Sequence, residues 1–167
     1  MRKRPCRHWM RYWNGLESIR VVQSRSRLPW GRSGTTVIVV DASVLAVALG
    51  DDGPEGSVAR AALAEETLVA PELIDLEVLS VFRRQVKTAS MTVARAQRAL
   101  SSLADLPMRR ASHRPLLQRC WELRQTVTAY DAAYIAIAEA LGIALVTGDA
   151  RLSRAPGVRC HVTVLGR

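Results

Sequence analysis

The sequence predicts an α/β fold in which a short, mostly parallel central sheet lies between two layers of helices, a three-layer α/β/α sandwich. Beyond residue 36, short runs of apolar and β-branched residues alternate with longer segments of helical periodicity. Strands that are separated by helices tend to pair in parallel, and the helices then cover both faces of the sheet. The length of 167 residues suits one domain of this kind.

Five short segments have the composition of strands. The first, VIVV, is wholly apolar, and the fourth, IALVT, is nearly so, which is typical of buried parallel strands. The third, MRRAS, is the least apolar of the five. The predicted strands are residues 37–40, 67–70, 108–112, 143–147 and 160–165.

Helices connect these strands, and their predicted ends depend on capping residues. The first helix ends at Gly50, Ser57 caps the second, and Thr92 caps a later one. Pro71 takes the first position of the third helix, where its missing N–H does no harm. Gly142 ends the last long helix. The predicted helices are residues 43–49, 57–66, 71–86, 92–105, 114–125 and 129–141, with a short helical segment at 150–154.

The segment 1–36 differs in composition from the rest of the chain. It contains nine of the 24 basic residues and one acidic residue, a net charge of +8, and three of the four tryptophans (Trp9, Trp13 and Trp30). Three interpretations are open: a basic arm that binds nucleic acid, a targeting peptide, or residues upstream of the true translation start. The abrupt change in composition favours the last of these. We therefore expect a disordered basic extension, 1–36, that reflects a mis-assigned start, and a folded domain, 37–167.

The cysteines and the apolar runs bear on the cellular compartment. Cys6, Cys120 and Cys160 are odd in number and lack metal-ligand spacing, so neither a disulfide framework nor a zinc site is predicted. The longest apolar run is too short to span a bilayer and is interrupted by Asp41. We therefore expect a soluble, cytoplasmic protein without a membrane segment.

Two acidic residues follow apolar strands of the predicted sheet. Asp41 comes directly after the first strand, and Asp149 lies two residues past the fourth. Because the carboxyl ends of parallel strands meet at one edge of the sheet, both carboxylates are expected at the same crevice. Helix capping is the alternative for each, since Asp is a common N-cap residue.

A third acid, Glu77, lies on an apolar helix face. It shares that face with Leu73, Ile74 and Val81. An ionised glutamate there costs several kcal/mol unless a cation or several hydrogen-bond donors meet it. The alternative is a glutamate whose carboxylate reaches solvent or bonds across to another helix.

A fourth acid, Asp131, lies in a helix that is almost entirely apolar. Tyr134, Ile135 and Ala138 lie on the same side of this helix. Thr128, three residues before Asp131, indicates a capping box, although such boxes prefer Glu or Gln at the second position. A capping role and a functional role can coexist at Asp131.

If the four acids converge, their combined charge of −4 requires a compensating cation. Mg²⁺ and Mn²⁺ prefer carboxylate oxygens, whereas zinc prefers His and Cys, and His8, His113 and His161 have no zinc-site spacing. The chemistry indicated is metal-assisted attack of water on a phosphodiester, with a metal pair roughly 4 Å apart.

Four motifs, in order, carry a resemblance to a known family. The segments IVVDASVLAVAL, ELIDLEVLSVFRR, TAYDAAYIAIAEALG and LVTGDARL resemble those of the PIN-domain family, and specifically the VapC toxins of bacterial VapBC type II toxin–antitoxin pairs. The resemblance covers residues 37–165 and implies a PIN-like form of the α/β/α sandwich. The basic extension departs from the pattern, because such toxins usually begin within a few residues of the first strand.

The resemblance also implies an activity and partners. The acids that match the family's site are Asp41, Glu77, Asp131 and Asp149, and they would form a Mg²⁺- or Mn²⁺-dependent endoribonuclease site. The polar residues that match Ser43 and Thr147 would line it. RNA as substrate, a homodimeric toxin, and a VapB antitoxin whose tail blocks the acidic pocket are implied in the same way.

Other functions are weighed against this one. A non-catalytic nucleic-acid-binding protein acting through the basic arm is the main alternative. A haloacid-dehalogenase-type phosphatase would carry a second Asp at the position of Ser43, and a nucleotide-binding Rossmann domain would carry a glycine-rich turn. Four arginines are also placed to contact phosphates, although a solvated surface or an antitoxin contact is the favoured role for any one of them: Arg83, Arg84, Arg151 and Arg154.

Overall fold

The computed structural model describes residues 36–166 of the 167-residue chain. The predictions made for the basic extension before Thr36 therefore lie outside the described residues. Within the described range, no helix is both long enough and apolar enough to cross a membrane.

A five-stranded sheet forms the centre of the described structure, and all of its pairings are parallel. The strand order is β3-β2-β1-β4-β5. Each strand overlaps one of the five predicted from the sequence. The strands are β1 (Val37–Val40), β2 (Thr67–Pro71), β3 (Met108–Ala111), β4 (Ala144–Thr147) and β5 (Val162–Val164).

Helices cover both faces of this sheet, which confirms the predicted three-layer α/β/α sandwich. Between residues 36 and 166 they are α1 (Ala42–Gly50), α2 (Pro54–Ala64), α3 (Ile74–Lys87), α4 (Val93–Asp105), α5 (Leu117–Glu122) and α6 (Ala129–Leu141). Helix α1 packs against α2, α3 and α4, whereas α6 packs against α5 and crosses β1, β2 and β4. The apolar sequence of α6 follows from this position, because Ala132, Ile135 and Ala138 are completely buried.

Helix α2 begins earlier than the sequence predicted. Pro54 is its first residue, and the carboxylate of Asp51 accepts hydrogen bonds from the N–H groups of Gly53 (2.9 Å) and Gly56 (2.7 Å). Ser57 lies inside the helix, so its predicted capping role was wrong. The capping group is an acid six residues earlier, and the φ of Pro54 is already suited to a first helical position.

Pro71 belongs to a strand and not to a helix. It is the last residue of β2 and lies opposite Ala111 of β3. The next N–H, that of Glu72, donates to the carbonyl of Ala111 at 3.1 Å. The prediction that Pro71 begins a helix was wrong, because pairing with β3 extends the strand and α3 begins only at Ile74.

The other predicted caps were correct, but the predicted helix over 114–125 was too long. Thr92 accepts a hydrogen bond from the N–H of Arg95, and Gly142 ends α6 with a φ of 66°. A 3-10 turn, Arg114–Leu116, precedes the short helix α5. The chain then turns at the buried Leu123, whose carbonyl accepts the N–H groups of residues 126 and 127.

The order of the strands indicates where on the sheet a ligand would bind. Strand β1 lies between β2 and β4, and the chain connections run in opposite directions from it. In open parallel sheets, ligands bind at the carboxyl ends of the strands where the strand order reverses in this way. Asp41 directly follows β1, and Thr147 ends β4 beside it.

Candidate active site

Asp41 lies at the carboxyl end of β1 and accepts two hydroxyl hydrogen bonds. Its backbone N–H donates to the carbonyl of Val146 at 2.9 Å, which continues the pairing with β4. Its carboxylate Oδ2 accepts from the hydroxyl of Ser43 at 2.8 Å and from that of Thr147 at 2.5 Å. Asp41 is also the N-cap of α1, through a long contact of 3.4 Å to the N–H of Ser43. The capping role, which was the alternative for Asp41, is therefore present, and the same carboxylate also bonds Thr147 at the end of β4.

Ser43 and Thr147 connect the ends of β1 and β4. Thr147 is completely buried, and its hydroxyl oxygen accepts the N–H of Asp149 at 3.0 Å. The hydroxyl oxygen of Ser43 accepts the N–H of Gly148, also at 3.0 Å. The loop after β4 is thus fixed to the carboxylate that follows β1.

Glu77 is half-buried on α3 and meets a side chain of α6. The hydroxyl of Tyr134 donates to Glu77 Oε2 at 2.5 Å. Burial raises the pKa of Glu77 above its usual value; the hydrogen bond from Tyr134 opposes this rise, and the negative charges of Asp41 and Asp131 add to it. The charges of Asp41 and Asp131 therefore act on Glu77.

Tyr134 is buried, with 2% of its surface exposed. Burial raises the pKa of its phenol, and the hydrogen bond and charge of Glu77 raise that pKa further. The phenol therefore stays protonated at neutral pH and acts as a hydrogen-bond donor to Glu77.

Asp131 occupies the first turn of α6, where Thr128 is the N-cap. The hydroxyl oxygen of Thr128 accepts the N–H of Asp131 at 3.2 Å, and the hydroxyl donates to Asp131 Oδ2 at 2.7 Å. A standard capping box would instead bond the acid to the backbone N–H of the cap. The predicted capping interaction is therefore present in a variant form that leaves the other carboxylate oxygen, Oδ1, outside the pair.

Asp149 lies in the loop after β4 and forms an ion pair with Arg151. The guanidinium reaches Oδ2 at 2.5 Å, and the N–H of Arg151 donates to Oδ1 at 2.8 Å. These contacts hold the pKa of the Asp149 carboxyl below its usual value. Asp149 is linked to the other acids through the hydroxyl of Thr147, while its carboxylate is occupied by Arg151.

The structure thus brings Asp41, Glu77 and Asp131 into electrostatic contact and places Asp149 beside them. Within residues 36–166, no three His, Cys, Asp or Glu side chains form a ready-made metal cage. The chemistry of the donors nevertheless fits Mg²⁺ or Mn²⁺, because all are carboxylates and one is a half-buried glutamate with two acids near it. A bound cation would offset the negative charges of Asp41 and Asp131, which add to the effect of burial on the pKa of Glu77.

Two contacts in the site were missed by sequence reasoning. Tyr134 was noted only as a neighbour of Asp131 on α6, yet it holds Glu77 on α3. The available signal was a tyrosine in an otherwise apolar helix, since a buried phenol usually requires a hydrogen-bond partner. The pairing of Arg151 with Asp149 was also missed.

Comparison with known proteins identifies the family. The model of the PIN domain matches residues 38–158, more than half of the chain. VapC ribonuclease Mb0985 of Mycobacterium bovis is 42% identical over 131 residues, which cover 78% of this chain and 100% of that protein. Ribonuclease VapC1 of Mycobacterium tuberculosis is 41% identical over 128 residues (76% of this chain and 96% of that protein), and its ribonuclease VapC3 is 38% identical over 118 (71% and 86%). The chain therefore belongs to the PIN-domain family, and its relatives in that family are VapC ribonucleases.

Proposed function

We propose that this chain is the toxin of a type II toxin–antitoxin pair and that it cleaves RNA phosphodiesters as a Mg²⁺-dependent endoribonuclease, with Mn²⁺ able to substitute. The names of its relatives support the activity. The single observation that carries the proposal is the half-buried carboxylate of Glu77, which accepts a hydrogen bond from the buried phenol of Tyr134 and is acted on by the charges of Asp41 and Asp131. A site at the carboxyl edge of the sheet in which Asp41 and Asp131 repel the charge of Glu77 is suited to binding a divalent cation.

The four acids divide into two kinds of environment. Hydroxyl groups hold Asp41, Glu77 and Asp131, through Thr147, Tyr134 and Thr128 respectively. An arginine holds Asp149. We assign all four as metal ligands and catalytic residues, and the metal would supply activation of water and neutralisation of charge on the phosphate.

Ser43 and Thr147 are assigned positioning roles. Each donates a hydroxyl hydrogen bond to Asp41 Oδ2 and accepts an N–H from the loop after β4. Two donors on one oxygen fix the rotamer of the carboxylate and, within the described residues, leave Oδ1 with only its long contact to the Ser43 N–H. Such supporting contacts typically account for roughly 10-fold to 100-fold in metal affinity or activity.

The same proposal includes an antitoxin partner, a homodimeric assembly and a cytoplasmic location. A VapB-type antitoxin is the expected partner, because the relatives carry the VapC name. A homodimer is also expected, and Leu76 and Leu79 offer an exposed apolar surface on α3, at 67% and 42% exposure. Cys120 and Cys160 are free thiols, which is compatible with a cytoplasmic location.

We further propose that the working domain is 37–167 and that the basic extension, 1–36, is not needed for cleavage. The charge of the chain supports this division, because nearly all of the +9 belongs to the extension. A protein that begins at Val37 should therefore retain its ribonuclease activity. Loss of activity in that protein would favour the alternative of a nucleic-acid-binding arm.

The decisive experiment compares RNA cleavage by the full chain and by variants in which one aspartate is replaced by asparagine, an uncharged residue of nearly the same size. The wild type should degrade RNA with Mg²⁺ or Mn²⁺ and stop when EDTA is added. Asp41→Asn and Asp131→Asn should each lose activity by a factor of roughly 10² or more, as expected for residues that bind the metal. Asp52→Asn is the matched control, because Asp52 is 80% exposed and pairs with Arg95 away from the four acids. Normal cleavage by both site variants would rule out the assignment.

A further inference from the structure

The four acids Asp41, Glu77, Asp131 and Asp149 are called the acid pocket below. An open cleft of about 340 Å³ lies beside it, between the turn that precedes α6 and the loop that follows β4. Asp131 forms part of its wall, so the cleft and the proposed catalytic site are continuous. Arg124 lines the cleft on the side of the turn, and Arg151, whose guanidinium is paired with Asp149, lines it on the side of the loop. A groove that joins a carboxylate pocket and has arginines on both sides is suited to an anionic polymer.

Trp121 lies next to this cleft and is exposed to solvent. Its exposed fraction is 64%, and it is the single tryptophan of residues 36–166. The guanidinium carbon of Arg124 lies 4.8 Å from the centroid of the indole ring, and Arg124 donates to the carbonyl of Trp121 at 3.0 Å. The pair therefore presents an indole ring and a guanidinium group together at the rim of the cleft.

These features match the way in which proteins bind single-stranded RNA. Unpaired bases stack on exposed aromatic rings and on arginine planes, and arginines contact the intervening phosphates. Stacking on an aromatic ring contributes roughly 1–3 kcal/mol per base.

We propose that Trp121 and Arg124 form an RNA-binding platform beside the acid pocket, where a base of the substrate strand stacks while Arg124 and Arg151 contact its phosphates. This inference rests on the proposed function, since the strand that it holds is the one to be cleaved. Trp121 is thereby a positioning residue: it sets which nucleotides lie next to the scissile phosphodiester and does not touch the reacting atoms.

The test measures binding of a short, fluorescently labelled single-stranded RNA to the full chain in EDTA, so that no cleavage occurs. Trp121→Ala should weaken binding about 10-fold, within the range expected for one stacked base, and Trp121→Phe should remain within roughly threefold of the wild type. Val93→Ala is the matched control, because Val93 is an apolar residue that is 59% exposed at the start of α4. The measurements are repeated at higher salt, which suppresses binding through the basic extension more than stacking.

A second measurement does not depend on correct folding of the alanine variant. The difference between the emission of the wild type and that of Trp121→Phe isolates the fluorescence of Trp121, and RNA should quench it. Unchanged emission on saturation with RNA, or equal affinity of the wild type and Trp121→Ala at both salt concentrations, would overturn the platform. A change in oligomeric state on size-exclusion chromatography with unaltered RNA affinity would also overturn it, because the surface would then be a protein interface.

Activity assays with metal separate this inference from the proposed function. Trp121→Ala should raise KM for RNA by a larger factor than it lowers kcat, since the acids are untouched. If the wild type cleaves no RNA but its binding depends on Trp121, the platform stands and the proposed ribonuclease function fails. If the wild type cleaves RNA and Trp121→Ala has the same KM, the function stands and the platform fails.

Discussion

The hydroxyl of Thr147 donates a 2.5 Å hydrogen bond to the carboxylate of Asp41, which lies 106 residues earlier in the chain. The same hydroxyl oxygen accepts the N–H of Asp149, and Thr147 is completely buried. One side chain thus positions two of the four acids, from the strand next to β1. This relationship is what fixes the geometry at the point where the strand order of the sheet reverses.

Replacement of Thr147 by valine, which has nearly the same shape, should reduce both activity and stability. Asp41 would lose a donor and the Asp149 N–H an acceptor, in a buried place, at a cost of about 1–3 kcal/mol in the free energy of unfolding. Cleavage should fall roughly 10-fold to 100-fold, as expected for a residue that orients a carboxylate proposed to bind the metal. Urea unfolding and RNA cleavage rates measure the two effects.

Two variants serve as controls for this prediction. Thr147→Ser keeps the hydroxyl and should recover most of the activity. Thr163→Val removes a hydroxyl from the neighbouring strand β5, where its one contact is at 3.4 Å to His161, and should change stability by less than about 0.5 kcal/mol. Equal losses in Thr147→Val and Thr163→Val would show that the hydroxyl of Thr147 has no special role.

Tyr134→Phe should weaken the apparent affinity of the site for metal without abolishing cleavage. The variant removes the donor to Glu77 and leaves the ring, so the packing of α6 is preserved. Glu77 is then free to rotate, and we expect the Mg²⁺ concentration for half-maximal activity to rise roughly 10-fold. A titration of activity against Mg²⁺ measures this shift. If kcat at saturating Mg²⁺ falls while the half-maximal concentration stays constant, the phenol acts in some way other than through the metal ligand.

The sequence predicted local features of this fold well and long-range ones less well. The predicted caps Thr92 and Gly142 were correct because their capping contacts lie within a few residues of each helix end. The prediction that Pro71 begins a helix was wrong because its strand conformation depends on pairing with β3, about 40 residues later in the chain. The contact of Tyr134 with Glu77 joins residues 57 apart, and no periodicity in α3 or α6 reveals it.

Ion pairs in this protein should differ in strength according to their burial. Glu139 receives two hydrogen bonds from Arg119 and one from the N–H of Arg159, and its side chain is 11% exposed. Glu139→Ala should therefore cost about 3 kcal/mol, because it removes a largely buried carboxylate and leaves the three donors that it accepts without their partner. Asp52 also binds an arginine, Arg95, through two contacts, but it is 80% exposed.

Asp52→Ala is accordingly the matched comparison, with an expected loss of less than about 1 kcal/mol. Urea unfolding of the three proteins at one pH and one salt concentration gives the difference. High salt should reduce the small effect at Asp52 more than the large effect at Glu139. Equal destabilisation by the two substitutions would show that burial does not determine the contribution of these pairs.

Glu77→Gln should have opposite effects on stability in the absence and in the presence of metal. Without metal, the variant should unfold at the same temperature as the wild type or at a higher one, because it removes a half-buried charge that Asp41 and Asp131 repel. With Mn²⁺, the wild type should gain stability by binding the ion in its folded state, whereas the variant should gain little. As Mn²⁺ is added, the melting temperature of the wild type should therefore rise relative to that of the variant and end above it. Asp52→Asn should follow the wild type throughout, and a melting temperature of Glu77→Gln that rises with Mn²⁺ as much as that of the wild type would exclude Glu77 as a ligand.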